Sequence, residues 1–577
     1  MRQRLTSYLP WLTWGRRYNN QLFRQDLIAA IIVTIMVIPQ SLAYAMLAGL
    51  PAEAGLYASI LPLLGYAFFG TSSALAVGPV AVIALMSASA VGQVAEAGTA
   101  GYIVASISLA LLSGGILMVM GIFRLGFTSN FISHPVISGF ITGSALLIAL
   151  SQFKHVLGIN ASGENLLELV PALLNELPKT HSTTLLLGLS ALIFLWFTRN
   201  YLARTLERLG LSKGLAQQFG RAGPVIAVVV ATAIVAIYGL NEAGIAVVGT
   251  IPAGLPPLQL PESSLALIQQ LFVPAMLISL VIFVESVSVA HKLALKKRER
   301  IDANQELLGL GAANMMSAFA GGLAVAGGFS RSVISDDAGA RTPAAGAFTA
   351  IGIGAVALFL TPLMYYLPNA ILAATIIVAV LSMADFRAIR QNWRYSSHDG
   401  AALLATLSVT LLLGVTEGIM TGVALSLALY LYRTSQPHSA IVGLVPGTEH
   451  FRNVTRHEVK TCPEVLIVRV DESLYFANSR YLEEHINTLV AARPEVKHVV
   501  LMGPAVNHID ASALESLEAI NTELSDMGIK LHLSEVKGPV MDRLRKSHFL
   551  SALNGEVFLT TYQAWTRLTA PATVEFR

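Results

Sequence analysis

Long apolar runs separated by short polar loops fill residues 27–433. A helix needs about 20 apolar residues to cross the hydrocarbon core of a bilayer. Runs of that kind fall at about 27–46, 55–70, 100–122, 132–152, 182–198, 223–240, 267–290, 305–320, 344–366, 369–384, 400–415 and 416–433. Two further segments, 75–92 (LAVGPVAVIALMSASAVG) and 327–341 (GGFSRSVISDDAGAR), carry too much Gly, Pro and Ser to be ordinary spans. With both counted, the pattern predicts fourteen crossings.

From about residue 463 the periodicity changes. EVLIVRVD (464–471), SLYFAN (473–478), KHVVLM (497–502) and IKLHLSEV (529–536) read as strands. They alternate with the helical RYLEEHINTLV (480–490) and a helix after Asp510, the pattern of a small α/β domain. The chain therefore divides into an N-terminal segment (1–25), a membrane domain (26–433), a linker (434–462) and a C-terminal domain (463–577).

Composition agrees with an integral membrane protein. The chain is 54% hydrophobic and 13% charged, about half the charged fraction of an ordinary soluble domain. The net charge of +3 is spread between apolar runs, which argues against a nucleic-acid partner. Cys462 is the only cysteine, so no intrachain disulfide is expected. The first 26 residues lack the short apolar core and small-residue cleavage site of a removable signal.

Charge also orients the spans. Alternate loops carry Arg124, then Arg199, Arg204, Arg208, Lys213 and Arg221, then Lys292, Lys296, Lys297, Arg298 and Arg300, then Arg341, then Arg387, Arg390 and Arg394. The opposite loops carry mostly glutamate, with Lys154 and Lys179 against the trend. The Lys/Arg bias puts both termini in the cytoplasm, with the protein in the cell's plasma (inner) membrane.

The two broken segments are the third and tenth crossings, each third in a half of seven. Matching interruptions at corresponding places are the sequence sign of a transporter built from inverted repeats. A half-helix that starts in mid-bilayer leaves its first N–H groups unpaired, with about half a positive charge. Two such ends facing each other make an anion site. Gly78 with Pro79, and Gly328 before Ser330, suit these starts, because Gly permits close backbone approach and Pro lacks the donor that would be wasted. Ser330 and Ser332 can add hydroxyl donors, and Arg331 adds a full charge that should face a cavity or an ion. Two structural alternatives compete. Small residues also let helices pack closely, and Arg331 could pair with an acidic residue such as Glu285 to hold the helices together. Asp337 and Arg341, spaced i,i+4, read as a local ion pair.

Other polar residues interrupt the apolar runs. Pro39, Gln40 and Ser41 break the first span, and Gln40 and Tyr44 share a face at i,i+4. A buried amide needs partners, whereas the proline alone is explained by packing. Glu285, beside Ser286 and near Ser288, lies in the eighth span; a charged carboxylate at that depth is costly, which makes it a proton-site candidate or a cation ligand. His134, before Pro135 at a helix start, reads as structural.

With these residues in view, the chain resembles the SulP family of anion transporters, whose animal relatives include prestin and pendrin. The motifs that carry the resemblance are IPQSLAYAMLAGLPAEAGLY, FISHPVISGFITG, NQELLGLGAANMMSAFAGG, GGFSRSVISDDAGARTP and VDESLYFANSRYLEE, spread over almost the whole length. The resemblance implies an α-helical membrane domain of 14 segments in a 7+7 inverted repeat, with core and gate bundles, and a cytoplasmic α/β STAS domain. It also implies a homodimer and elevator-like movement of the core. It carries Gln40, Tyr44, Val80, Phe329, Ser330 and Arg331 onto positions around the anion, and Glu285 onto the position of proton or sodium coupling. Many relatives have Asn where this chain has Ser335, which bears on substrate size. In the tail, NHIDASALESL (507–517) is similar to the loop of anti-sigma-factor antagonists, placing Ser512 at a phosphorylatable position. Capping of a helix start explains Asp510 or Ser512 equally well.

These features predict a secondary transporter of a small inorganic anion driven by H+ or Na+. Sulfate is the first substrate expected, then bicarbonate, then chloride, nitrate or a C4-dicarboxylate. No nucleotide-binding loop, HExxH, GxSxG or His/Cys metal cluster is present, so no enzyme, ATP-driven pump, cofactor or resident metal is expected. The competing class is a membrane anion sensor whose STAS domain signals to a cytoplasmic protein partner.

Overall fold

A computed structural model describes residues 9–131, 133–210, 222–258, 264–569 and 575–576, with 212, 216 and 220 as isolated positions. It divides into two units, residues 1–426 and 427–577.

The first unit is helical. Asn20–Leu47 (α1) is capped by Asn19, whose side chain accepts from the amides of Gln21 and Leu22, and it runs on through Pro39. Ala52–Tyr57 (α2) and Leu61–Phe69 (α3) follow. A two-residue strand, Val77–Gly78 (β1), leads into Ala81–Gly92 (α4). Then come Ala100–Ile122 (α5), His134–Leu157 (α6), Ser182–Phe197 (α7) and Gly223–Tyr238 (α8). Leu265–Lys297 (α9) and Ala303–Phe319 (α10) precede a second short strand, Ala326–Gly327 (β2), and the nine-residue helix Phe329–Asp337 (α11). Ala344–Phe359 (α12), Asn369–Leu381 (α13), Phe386–Tyr395 (α14), Ser397–Leu412 (α15) and Val415–Ser435 (α16) complete the series, the last crossing the division between the units.

Helices thus occupy the apolar runs read from the sequence, and both segments set apart as broken are a strand followed by a short helix. Among the described residues, eight helical stretches are long and apolar enough to cross a membrane, three of them (52–69, 182–208 and 369–395) made of adjoining shorter helices, and three more helices are apolar but shorter. The chain is a multi-pass membrane protein. Its helices make their principal contacts in two groups: α1, α3, α5, α9, α10 and α12, and α6, α7, α13 and α15. Glycines set the closest approaches. A Cβ on Gly114 of α5 would lie 2.7 Å from the Met315 amide of α10, and one on Gly309 of α10 would lie 2.9 Å from Gly70.

Two buried carboxylates, not singled out in the sequence, tie these helices together. Glu306 on α10 accepts from Tyr66 Oη (2.7 Å), the Thr71 amide (2.8 Å) and Thr71 Oγ1 (2.5 Å). Asp26 on α1 accepts from the amides of Arg341 (2.7 Å) and Thr342 (3.2 Å) and from Thr342 Oγ1 (2.6 Å). Both carboxyl groups are fully enclosed, and each oxygen has a donor, which is what makes burial of so polar a group tolerable.

The second unit is an α/β domain. Val465–Val470 (β4), His498–Met502 (β5), Lys530–Ser534 (β6) and Val557–Phe558 (β7) form a parallel run, with Val468 opposite Leu501 and Leu501 opposite Leu533. Ser439–Leu444 (β3) adds antiparallel to β4. Ser479–Ala491 (α17) and Ala511–Asp526 (α18) cover one face, burying Leu482, Ile486, Leu517 and Ile520 against Val468 and Leu501. Two expectations are corrected here. The stretch expected as linker holds β3, whose SAIVGL was too short a run to stand out. SLYFAN is a turn, because Asn478 locks it: its Oδ1 accepts from the Tyr475 amide (3.0 Å) and its Nδ2 donates to the Ser473 carbonyl (2.9 Å).

Candidate functional site

β1 and β2 cross antiparallel, with Val77 opposite Gly327 and Gly78 opposite Ala326. This pairing brings the starts of α4 and α11 together from the two halves of the membrane unit. The approach to β2 is held by Asn314 on α10: its Oδ1 accepts from the Val325 amide and its Nδ2 donates to the Val325 carbonyl, both at 2.9 Å. Ser332 adds a second clamp, its Oγ accepting from the Ala76 amide (3.0 Å) and donating to the Gly328 carbonyl (2.7 Å). A third comes from α9, where Ser286 Oγ accepts from the Gly327 amide at 2.8 Å.

Both helices start in extended residues, Val80 and Gly328, and among the described residues no side chain caps either start. The amides of two first turns and their partial positive charge are therefore left to whatever lies between them. Arg331, in the first turn of α11, is 3% exposed. Its Nη2 donates to the Pro79 carbonyl at 2.6 Å, so the guanidinium of one half rests on the backbone of the other. Gly78 makes room for it: a Cβ there would lie 2.5 Å from Nη1.

The residues singled out in the sequence distribute as follows. Gly78, Val80 and Arg331 meet at the crossing, and Phe329, 47% exposed, opens α11. The side chain of Ser330 lies outside the described residues. Tyr44 and Glu285 are close enough to Arg331 to interact with its charge. Gln40 is half-buried on α1, one turn before the buried Tyr44. Among the described residues Glu285 and Arg331 form no ion pair; Glu285 Oε1 is buried without a hydrogen-bond partner there. The structural alternative that Arg331 is held by Glu285 is thus replaced by the backbone contact to Pro79. Asp336 pairs with Lys297 of α9 (2.9 Å), and the Arg341 amide binds Asp26. His134 is exposed at the start of α6.

A narrow cleft with room for about one water, about 10 Å³, reaches Arg331 from the side of Ser73 and Ser335. Val33, Val37 and Thr349 also line it, whereas Gln40, Tyr44 and Phe329 do not. Among the described residues no group of His, Cys, Asp and Glu suits a metal ion. In the second unit, Asp510 caps α18 by accepting from the Ala513 amide (2.9 Å) and also accepts from the Phe476 amide (2.9 Å), with Ser512 exposed beside it.

The sulfate permease family matches residues 23–406 of this chain, which holds the whole strand crossing, and the STAS domain matches residues 456–564. The chain belongs to the sulfate permease family. Sulfate transporter 4.1, chloroplastic, of Arabidopsis thaliana is 34% identical over 574 residues, covering 96% of this chain and 82% of the relative. A probable sulfate transporter of Mycobacterium tuberculosis is 32% identical over 560 residues, covering 96% and 97%. Among solved structures, the murine Slc26a9 anion transporter matches with a TM-score of 0.87 at 24% identity, over 99% of this chain and 95% of that one. The transmembrane domain of the cyanobacterial bicarbonate transporter BicA matches with a TM-score of 0.60 at 22% identity, over 70% and 98%. These likenesses establish the fold for a member of this family, with its C-terminal STAS domain.

Proposed function

We propose that this protein is a secondary transporter of a small inorganic anion, sulfate first, held between the starts of α4 and α11. The observation that carries this reading is Arg331, buried where two uncapped helix starts meet. The site supplies backbone N–H donors aimed inward from both halves and one fixed cation, a chemistry suited to oxyanions. Relatives named as sulfate transporters favour sulfate over bicarbonate, chloride, nitrate or a C4-dicarboxylate. Glu285, with Ser286 beside it, is the proposed coupling position: a half-buried carboxylate near the guanidinium, one of its oxygens fully buried, can take up H+, or Na+ with a neighbouring hydroxyl, as the anion binds. The 7+7 arrangement of fourteen crossings, elevator movement of a core past a gate, cytoplasmic termini and a homodimer all belong to this proposal. The antiparallel meeting of the two strand–helix units supports the inverted repeat.

Uptake of radiolabelled sulfate into proteoliposomes, under proton and sodium gradients imposed separately, tests the reading. Wild-type protein should accumulate sulfate under one of them, and Arg331→Ala should lose uptake by tenfold or more while staying folded. A protein that moves no anion under any gradient would be the sensor class instead, and full uptake by folded Arg331→Ala would remove the guanidinium from the site.

A further inference from the structure

The ten-residue helix α14, FRAIRQNWRY, joins α13 to α15. Its side chains fall into three stripes at helical spacing. Ala388 is buried and Asn392 half-buried, with Asn392 Nδ2 donating to the Ala388 carbonyl at 2.8 Å; this stripe faces the protein. Phe386, Ile389 and Trp393 form an apolar stripe, with Phe386 57% and Trp393 52% exposed. Arg387, Arg390 and Arg394 form the third, all exposed and, among the described residues, in no ion pair. Large apolar groups exposed beside a row of cations are unfavourable in water. They are the composition of a helix lying in the headgroup layer, apolar side toward the acyl chains.

The position of α14 agrees with that. It is joined without a long linker to apolar helices at both ends, and α13, with 13 residues, is only about 20 Å long. The Lys/Arg bias of the loops assigns α14 to the cytoplasmic side, where anionic lipids give the leaflet a negative potential. We propose that α14 is a binding site for anionic phospholipid, with Phe386, Ile389 and Trp393 at the acyl boundary and the three guanidinium groups on headgroup phosphates. Trp393 also touches the start of α15: a Cβ on Gly400 would lie 2.7 Å from the indole Cε3. Lipid held by α14 therefore bears directly on α15.

The test uses full-length protein with Cys462→Ala, carrying a spin label at either Trp393→Cys or Gln391→Cys, in vesicles of phosphatidylcholine and phosphatidylglycerol. A label at 393 should be relaxed mainly by oxygen, which partitions into lipid, and one at exposed position 391 mainly by a water-soluble nickel chelate. A label at 393 relaxed mainly by nickel would overturn the proposal, and shielding of 393 from both reagents would show a protein partner there instead. In the same vesicles, replacing Arg387, Arg390 and Arg394 with Gln should cut the preference for spin-labelled phosphatidylglycerol over phosphatidylcholine tenfold or more, since each basic residue near the surface contributes severalfold. An unchanged preference would contradict the headgroup contact.

Discussion

The Gly327 amide donates to Ser286 Oγ at 2.8 Å, so the residue next to Glu285 on α9 holds the strand that carries α11. The proposed coupling carboxylate and the anion cradle are therefore one residue apart along α9. Ser286→Ala leaves a buried N–H without its acceptor, a local cost of about 1–3 kcal/mol. It should weaken sulfate uptake and its gradient dependence together, whereas Ser288→Ala, at an exposed position, should change neither. Glu285→Gln should abolish the gradient dependence while sulfate binding survives. Transport assays under separate gradients check all three, and unchanged coupling in Glu285→Gln would remove that residue from the mechanism.

Gly78 is set by the guanidinium beside it. A methyl group there would sit 2.5 Å from Nη1 and 3.3 Å from Cζ of Arg331. Gly78→Ala should displace Arg331 and lower sulfate affinity tenfold or more. Gly92→Ala, at the far end of α4 with nothing within 4 Å, is the control and should bind as wild type. Equal affinities in a binding assay would show that the position of Arg331 is not critical.

Glu306 makes a separate, structural prediction. Replacing it with Ala strands Tyr66 Oη and two donors of Thr71, all three of which it now accepts from. Breaking a buried network of this kind costs on the order of 3 kcal/mol or more. Thermal unfolding in detergent should show a large fall for Glu306→Ala and a smaller one for Tyr66→Phe, which removes a single donor. A Glu306→Ala protein as stable as wild type would contradict the role.

The C-terminal unit should lose stability in acid through His532. Its ring is buried on β6, where Nδ1 accepts from the Glu556 amide (3.0 Å) and Nε2 shares a 3.1 Å hydrogen bond with His498 Nδ1. Burial first, then the charges of His498, Lys530 and Arg567, lower its pKa to about 4. Burial also lowers that of His498. The unfolded chain takes up a proton near pH 6.5, the folded one only near 4, so this stabilisation is complete above about pH 6.5 and fades as pH falls toward 4. Amide exchange of β6 in the full-length protein should speed up between pH 7 and 5, after correction for intrinsic rates. His532→Gln should flatten that trend, and a flat wild-type profile would contradict it.

The sequence made the helices legible because about 20 consecutive apolar residues have few other uses, and it marked both broken segments because Gly, Pro and Ser gather there around Gly78–Pro79 and Gly327–Gly328. Arg331 stood out as a full charge among apolar residues. What it rested on did not: the acceptor is a backbone carbonyl of Pro79, and backbone groups leave no mark on side-chain patterns. Asp26 and Glu306 escaped for a related reason. Both lie at helix ends near polar loops, where a carboxylate looks solvated until the fold encloses it. Asn314 and Ser286 were equally quiet, since short polar side chains in apolar helices are common and only the strand crossing gives them work. In the tail, β3 was missed because six residues of mixed pattern carry little signal away from their partner strand.

The proposed anion lies between the first turns of α4 and α11 beside Arg331. Crystals of the full-length protein grown with selenate, measured at the selenium absorption edge, locate that anion directly. An anomalous peak is expected within hydrogen-bond reach of the first-turn amides of both helices, absent in Arg331→Ala. A peak that lies elsewhere, or that persists at the crossing in Arg331→Ala, would contradict that placement.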